Sequence, residues 1–188
     1  MNIGIDVDGV IMDTESRFRP AAELFDLDNN GKGIINADKF LFQDRFGWTN
    51  EMFVKFVEEY GFEIEKTAPL MPCAQQILKR LKDEGHRLIV ITARGFSGKL
   101  EEDLTLEVFK NYNLEFDKIY FKAHNKAEIC KNENIDYMID DSPINIQKLV
   151  ENDIKCLYFK SAHNTPFSHK NSTSVYSWVD IYKFFKNK

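Results

Sequence analysis

Five short stretches of the chain are apolar without a break, and each runs into polar residues. Residues 1–7 lead through a β-branched run to Asp6, Asp8 and Gly9, residues 87–92 read Arg-Leu-Ile-Val-Ile-Thr, and residues 118–121, 137–139 and 155–159 repeat the pattern. Unbroken rather than alternating apolar runs predict strands buried on both faces of their sheet. Segments of helical spacing separate the last four. Over residues 72–84, Ile77, Leu78 and Leu81 share a face, with Pro72 suited to the first turn and Gly85 to the end. Leu100, Leu104 and Val108 form a stripe over residues 99–112, residues 126–132 make a short helix, and Ser142-Pro143 opens another that carries Ile146, Leu149 and Val150. Strand alternating with helix predicts an α/β fold, a doubly wound parallel sheet whose ligands sit beyond the carboxyl ends of the strands. The polar residues 161–174 read as a loop, and residues 177–185 as a closing helix that packs Trp178.

Residues 15–71 break this alternation, with no buried strand among them. Over residues 49–60, Met52, Phe53, Phe56, Val57 and Tyr60 share a helical face that Thr49 can cap and Gly61 can end. Residues 17–25 and 37–46 give weaker helical patterns. The segment reads as a small helical cap inserted after the first strand. The chain then divides into a core of residues 1–14 and 72–188 and a cap of residues 15–71.

The whole is 188 residues long, enough for one core domain and a small insertion. A net charge of -5 leaves no basic surplus for nucleic acid, so no nucleic-acid partner is expected. No apolar run is long enough for a bilayer and no signal peptide is visible, which makes the cytoplasm the expected compartment, with no membrane partner. The cysteines Cys73, Cys130 and Cys156 are scattered and read as buried packing residues.

Candidate chemistry lies at the strand ends. Asp6 and Asp8 follow the first strand, and Asp140 and Asp141 follow the fourth, so all four converge on one rim of the predicted sheet. Converging carboxylates are costly without a cation, and an all-oxygen donor set suits magnesium. Thr92 ends the second strand, where its hydroxyl and the N–H groups after it can hold a phosphate oxygen, and Lys126 opens a helix at the same rim, with Lys122 as its rival. Carboxylates, a hydroxyl, a lysine and a metal together suit phosphoryl transfer, where positioning and charge neutralisation do most of the catalysis.

Taken singly, each of these residues has a plainer reading: Asp-Gly is a common turn, and Lys126 alone is a solvated helix lysine. Ala93 and Arg94, beside Thr92, are candidates for phosphate or substrate contact, and Arg17 and Arg19 stand where the chain leaves the core. Residues 26–31 imitate the start of a calcium loop, but Ala37 stands where a bidentate glutamate is needed, which favours a turn between two cap helices. Eight of the 16 phenylalanines fall between Phe18 and Phe62. Most of them read as the cap's own core, with Phe18, Phe46 and Trp48 kept as candidates for a nucleobase surface. The four histidines show no ligand spacing.

Asp6-Val7-Asp8-Gly9-Val10, then Ile91-Thr92-Ala93-Arg94, Lys126, and Ile139-Asp140-Asp141-Ser142 resemble the four ordered motifs of the haloacid dehalogenase superfamily. The resemblance spans the core to about residue 159. It implies that Asp6 is a nucleophile forming an aspartyl-phosphate and that Asp8 protonates the leaving oxygen and then activates water. It further implies that Thr92 binds the phosphoryl group and that Lys126 steadies the charge. Magnesium is then held by Asp6, the Asp8 carbonyl and Asp140, with Asp141 behind them. An aspartate two residues after the nucleophile favours a phosphatase over a dehalogenase. The small helical insertion after the first motif is similar to the 5'-deoxyribonucleotidase branch and to bacterial 5'-nucleotidases, so the implied substrate is a small phosphorylated metabolite, a nucleoside 5'-monophosphate first of all. A sugar phosphate or other metabolite is the rival substrate, and a catalytically silent phosphate-ligand or partner-binding protein is the rival class.

Overall fold

The computed structural model describes residues 1–96, 98–160 and 165–188. Six parallel strands form one sheet: β1 (Asn2–Ile5), β2 (Arg87–Ile91), β3 (Lys118–Tyr120), β4 (Tyr137–Asp140), β5 (Cys156–Phe159) and β6 (Ser172–Val175), in the order β3-β2-β1-β4-β5-β6. The order reverses on either side of β1, which pairs with β2 through Ile3↔Leu88 and with β4 through Ile5↔Ile139. A crevice opens at such a reversal, beyond the carboxyl ends of the strands.

Continuous apolar strands are needed here because the sheet is covered on both sides. In β2, Leu88 and Val90 enter one cluster while Ile89 and Ile91 enter the other. The first cluster packs under α4 (Ala74–Asp83), α5 (Lys99–Asn111) and α8 (Trp178–Lys186), and the second under α6 (Lys126–Asn132) and α7 (Pro143–Glu151). Gly4 has no side chain on the second side because Met138 fills its place, with Sδ 2.7 Å from where a Cβ would stand. Ser142 and Ser177 cap α7 and α8 through their hydroxyls.

Between β1 and α4 stand three helices, α1 (Glu15–Asp28), α2 (Phe42–Phe46) and α3 (Asn50–Thr67). They enclose a third cluster, built from Ala22, Phe25, Phe46, Trp48, Phe56 and Ile64. The chain enters and leaves this helical segment on two linkers that pair with each other: Asp13 N donates to Pro69 O at 2.8 Å, and Met71 N to Ile11 O at 2.8 Å.

Several expectations are corrected. Residues 172–174, read as loop, belong to the edge strand β6, whose middle residues are exposed and so carry no apolar signature; residues 161–164 of that expected loop lie outside the described residues. Helix α3 does not stop at Gly61, which is buried within it, but runs to Thr67. It ends where Pro69 forces the preceding Ala68 to an extended ψ of 130°. Helix α2 covers only Phe42–Phe46 of the expected span. Cys73 is exposed, with φ 65°, while Cys130 and Cys156 are buried. Residues 26–28, read as part of a turn between two cap helices, still belong to α1, and the Asp26 carboxylate accepts from Trp48 Nε1 at 2.6 Å and Gly33 N at 2.7 Å. Among the described residues no helix is long and apolar enough to cross a membrane.

Candidate active site

Adjacent parallel strands bring Asp6 and Asp140 side by side. Asp6 continues the β1 ladder by donating its N–H to Ile139 O at 3.0 Å, and Asp140 closes β4. Helix α6 starts in the same crevice, where the Asn125 side chain accepts from Glu128 N, and its first residue is Lys126. The buried Nζ of Lys126 stands 2.8 Å from Asp6 Oδ2 and 2.7 Å from Asp140 Oδ2. Its rival Lys122 points elsewhere and pairs with Glu102 at 2.9 Å. Asp140 is further held by Ser142 N at 2.9 Å and by Asn145 Nδ2 at 3.2 Å. Asn145 was not singled out from the sequence. The signal for it was the Ser142-Pro143 helix start, which places its first-turn side chains over the strand end.

Asp6, Asp140 and Asp141 each offer an oxygen within 4.8 Å of the others. Burial pushes the Asp6 carboxyl upward, against the pull of Lys126, and Asp140 adds to the push. Burial, then Asp140 and Asp6, raise Asp141 well above the ordinary carboxylate range. Among the described residues the ammonium of Lys126 pairs with Asp6 and Asp140 beside a third acid, which leaves positive charge in short supply. That shortage, with a donor set of hard oxygens alone, fits a divalent cation of the magnesium type. Gly9 is required at the same place: its φ is 72°, and a Cβ there would stand 2.1 Å from Asp141 Oδ2.

Asp8 turns its carboxylate away from this cluster. Oδ1 accepts from Arg94 Nη2 at 2.6 Å and Oδ2 from Arg94 Nε at 2.9 Å. Burial alone would raise Asp8, but the guanidinium outweighs it and holds the carboxyl below its usual range. Arg94 is therefore placed against an acid rather than on a free phosphate-binding surface. Thr92 is buried, and its Oγ1 accepts from Arg94 N at 3.2 Å. The intervening Ala93 lines the crevice.

Above these groups lies a cavity of about 420 Å³. Asp6, Asp8, Thr92, Ala93, Lys126 and Asp141 form one wall, and Phe18, Phe40, Leu41, Phe42, Gln43 and Phe53 the other. Phe18 and Phe42 stack at 4.7 Å, and the buried Arg45 lies 4.2 Å over Phe42 while pairing with Glu15 at 2.6 Å. Phe18 therefore lines the cavity as expected. Phe46 and Trp48 do not: they stack on each other inside the helical segment, because a density of aromatics does not reveal which of them meet the segment's own core and which the crevice. Arg17 donates to Thr67 O, and Arg19 pairs with Glu23 on the surface. A second groove of about 360 Å³, between α4 and the end of α5, holds no comparable cluster.

The architecture and the four ordered motifs define a haloacid dehalogenase-like α/β fold. A haloacid dehalogenase-like family hydrolase from Streptococcus pneumoniae superposes with a TM-score of 0.66 at 17% identity, over 98% of this chain and 97% of that one. In sequence, the chain is 28% identical over 179 residues to a protein of Halalkalibacterium halodurans named "Putative nucleotidase", covering 94% of this chain and 88% of that protein. It is 25% identical over 199 residues to a "Putative 5'(3')-deoxyribonucleotidase" of Chlorobaculum tepidum, covering 98% and 89%. No family model matches. In fold and in sequence, the chain resembles haloacid dehalogenase-type phosphatases of the nucleotidase branch.

Proposed function

We propose that this chain is a magnesium-dependent phosphatase of nucleoside 5'-monophosphates that works through an aspartyl-phosphate on Asp6. One observation carries the reading: the buried Lys126 joins Asp6 to Asp140 at 2.8 and 2.7 Å on the floor of a cavity whose far wall is aromatic. Asp6 Oδ attacks phosphorus and the bond to the leaving oxygen breaks, with Lys126 neutralising nucleophile and phosphoryl oxygens together. Thr92 Oγ1 and the Ala93 N–H hold a phosphoryl oxygen. Asp8, protonated from solvent once it has turned from Arg94, gives that proton to the departing alkoxide and afterwards takes one from the water that attacks the acyl phosphate, so that inorganic phosphate leaves and Asp6 is restored. Asp6, Asp140 and Asp141, with the Asp8 backbone carbonyl, would hold the ion, which supplies further positive charge to the phosphoryl oxygens.

Residues 15–71 act as a cap that excludes water from this chemistry, moving on the paired linkers at residues 11–13 and 69–71. Phe18 and Phe42 give the leaving group an apolar, stackable wall, which suits a nucleobase better than a bare sugar. The names of the sequence relatives agree with that choice. Phosphate release from a panel of nucleoside monophosphates, sugar phosphates and an aryl phosphate, with magnesium and with chelator, tests the reading. Release concentrated on nucleotides supports it, and release spread over sugars keeps the chemistry but removes the nucleotide. No release from folded, metal-loaded protein sinks it in favour of a silent binding protein.

A further inference from the structure

The far wall of the cavity carries a polar group that the proposed chemistry does not use. Residues 40–45 supply Phe40, Leu41, Phe42, Gln43 and Arg45 to that wall. Arg45 is occupied within the helical segment: Nε donates to Lys39 O at 2.7 Å, Nη2 to Phe40 O at 2.9 Å, and Nη1 pairs with Glu15 at 2.6 Å. These bonds tie the turn before α2 to the start of α1. Beyond α2, Trp48 N donates to the Gln43 carbonyl at 2.8 Å, so the backbone that carries Gln43 is held from both sides. The Gln43 side chain is treated differently. It is partly buried, and among the described residues its amide has no hydrogen-bond partner. A polar group set on a stiff backbone in a mostly apolar wall orients a ligand and selects among ligands.

We propose that Gln43 is the specificity residue that reads the edge of a nucleobase, an inference that rests on the nucleotide reading of this site. A primary amide presents donors beside an acceptor. The edges of thymine, uracil and cytosine carry the complementary pair, which the amide meets in either order by turning over. A sugar has no such paired edge. Successive helical positions stand about 100° apart, so Phe42 can lie on the face of the ring while Gln43 meets its edge. Lys126 and Thr92 stand on the opposite wall, where the phosphate is held. Gln43 therefore acts at the end of the ligand away from the reacting bond, and it makes or breaks no bond itself. A purine edge suits the same amide, so Gln43 selects bases over sugars rather than one base over another.

The test is kcat/KM on thymidine 5'-monophosphate, on its isostere whose base is difluorotoluene, and on deoxyribose phosphate. The isostere keeps the shape and the stacking face of thymine but loses its hydrogen bonds. The native chain should prefer thymidine 5'-monophosphate to the isostere by roughly 10- to 10²-fold, as a pair of neutral hydrogen bonds would give. Gln43→Leu, close to glutamine in volume, should bring that ratio to about 1, with the loss in KM rather than in kcat. Gln43→Met, unbranched like glutamine, should do the same. Both probes report on the same folded protein, so a destabilised variant cannot imitate the change in ratio. A ratio that stays at its native value in the variants overturns the role of Gln43 and leaves stacking to select the base. A native chain that prefers thymidine 5'-monophosphate to neither deoxyribose phosphate nor the isostere removes the nucleotide reading itself, and the inference with it.

Discussion

The two ends of the sheet treat their acids in opposite ways. At the amino end, Glu133 is met by Lys118 at 2.6 Å, by the Tyr120 hydroxyl and by Arg87 at 2.8 Å. The hydrogen bonds from Lys118, Tyr120 and Arg87 hold its carboxyl down to about 2. At the carboxyl end, among the described residues, Lys126 pairs with Asp6 and Asp140 beside Asp141, and burial drives Asp6 and Asp141 upward. An acid with more donors than it needs fastens secondary structure together. Acids crowded together and driven upward by burial leave room for a cation and for the phosphate it attracts.

The largest break in that contrast comes from Asp6→Asn. Phosphate release should fall by roughly 10⁴-fold or more, since no other group replaces a lost nucleophile. The fold should persist, because the change removes a charge from a crowded site, and circular dichroism with a thermal melt checks this. Chelation comes next: turnover should drop roughly 10³-fold and return with Mg²⁺. Added Mg²⁺ should raise Tm in the native chain but not in Asp141→Asn. A melt indifferent to Mg²⁺ would remove the cation from the carboxyl end. Gly9→Ala should cost about 1–2 kcal/mol in backbone strain alone. Its Cβ would also push Asp141 aside, lowering turnover by roughly 10²-fold.

Glu133→Gln sharpens the comparison from the other end and has the smallest effect. The folded-state carboxyl lies below its ordinary value of 4.5, so the stabilisation is fully present above that value and fades as pH falls toward about 2. Tm should therefore be lower than native at pH 7, and the two melting curves should converge as the acid range is entered, with turnover unchanged throughout.

The carboxyl end was the more legible of the two. Its residues sit where unbroken apolar strands stop, and parallel pairing must then bring those stops to one rim, as Ile5↔Ile139 does for Asp6 and Asp140. The α6 boundaries were readable to the residue, because Asn125 caps a short run with nothing helical before it. Strand β6 was not readable: Ser-Thr-Ser-Val at a sheet edge is polar because its middle faces water. The extension of α3 past Gly61 was hidden because packing of Ile64 outweighs the modest penalty of a helical glycine. The Asp8–Arg94 pair joins positions 86 apart, and no local spacing announces such a contact.

The chain's two tryptophans fall one to each region. Trp178 is sealed in the core cluster, and its Nε1 donates to Val10 O at 2.8 Å, in the loop that follows Asp8. Trp48 lies in the helical segment's own cluster, its Nε1 on the Asp26 carboxylate. The protein thus carries a built-in pair of optical probes. Replacing either tryptophan by phenylalanine leaves an emission that reports on one hydrophobic cluster alone, so loosening of the helical segment can be watched separately from melting of the sheet without attaching a dye.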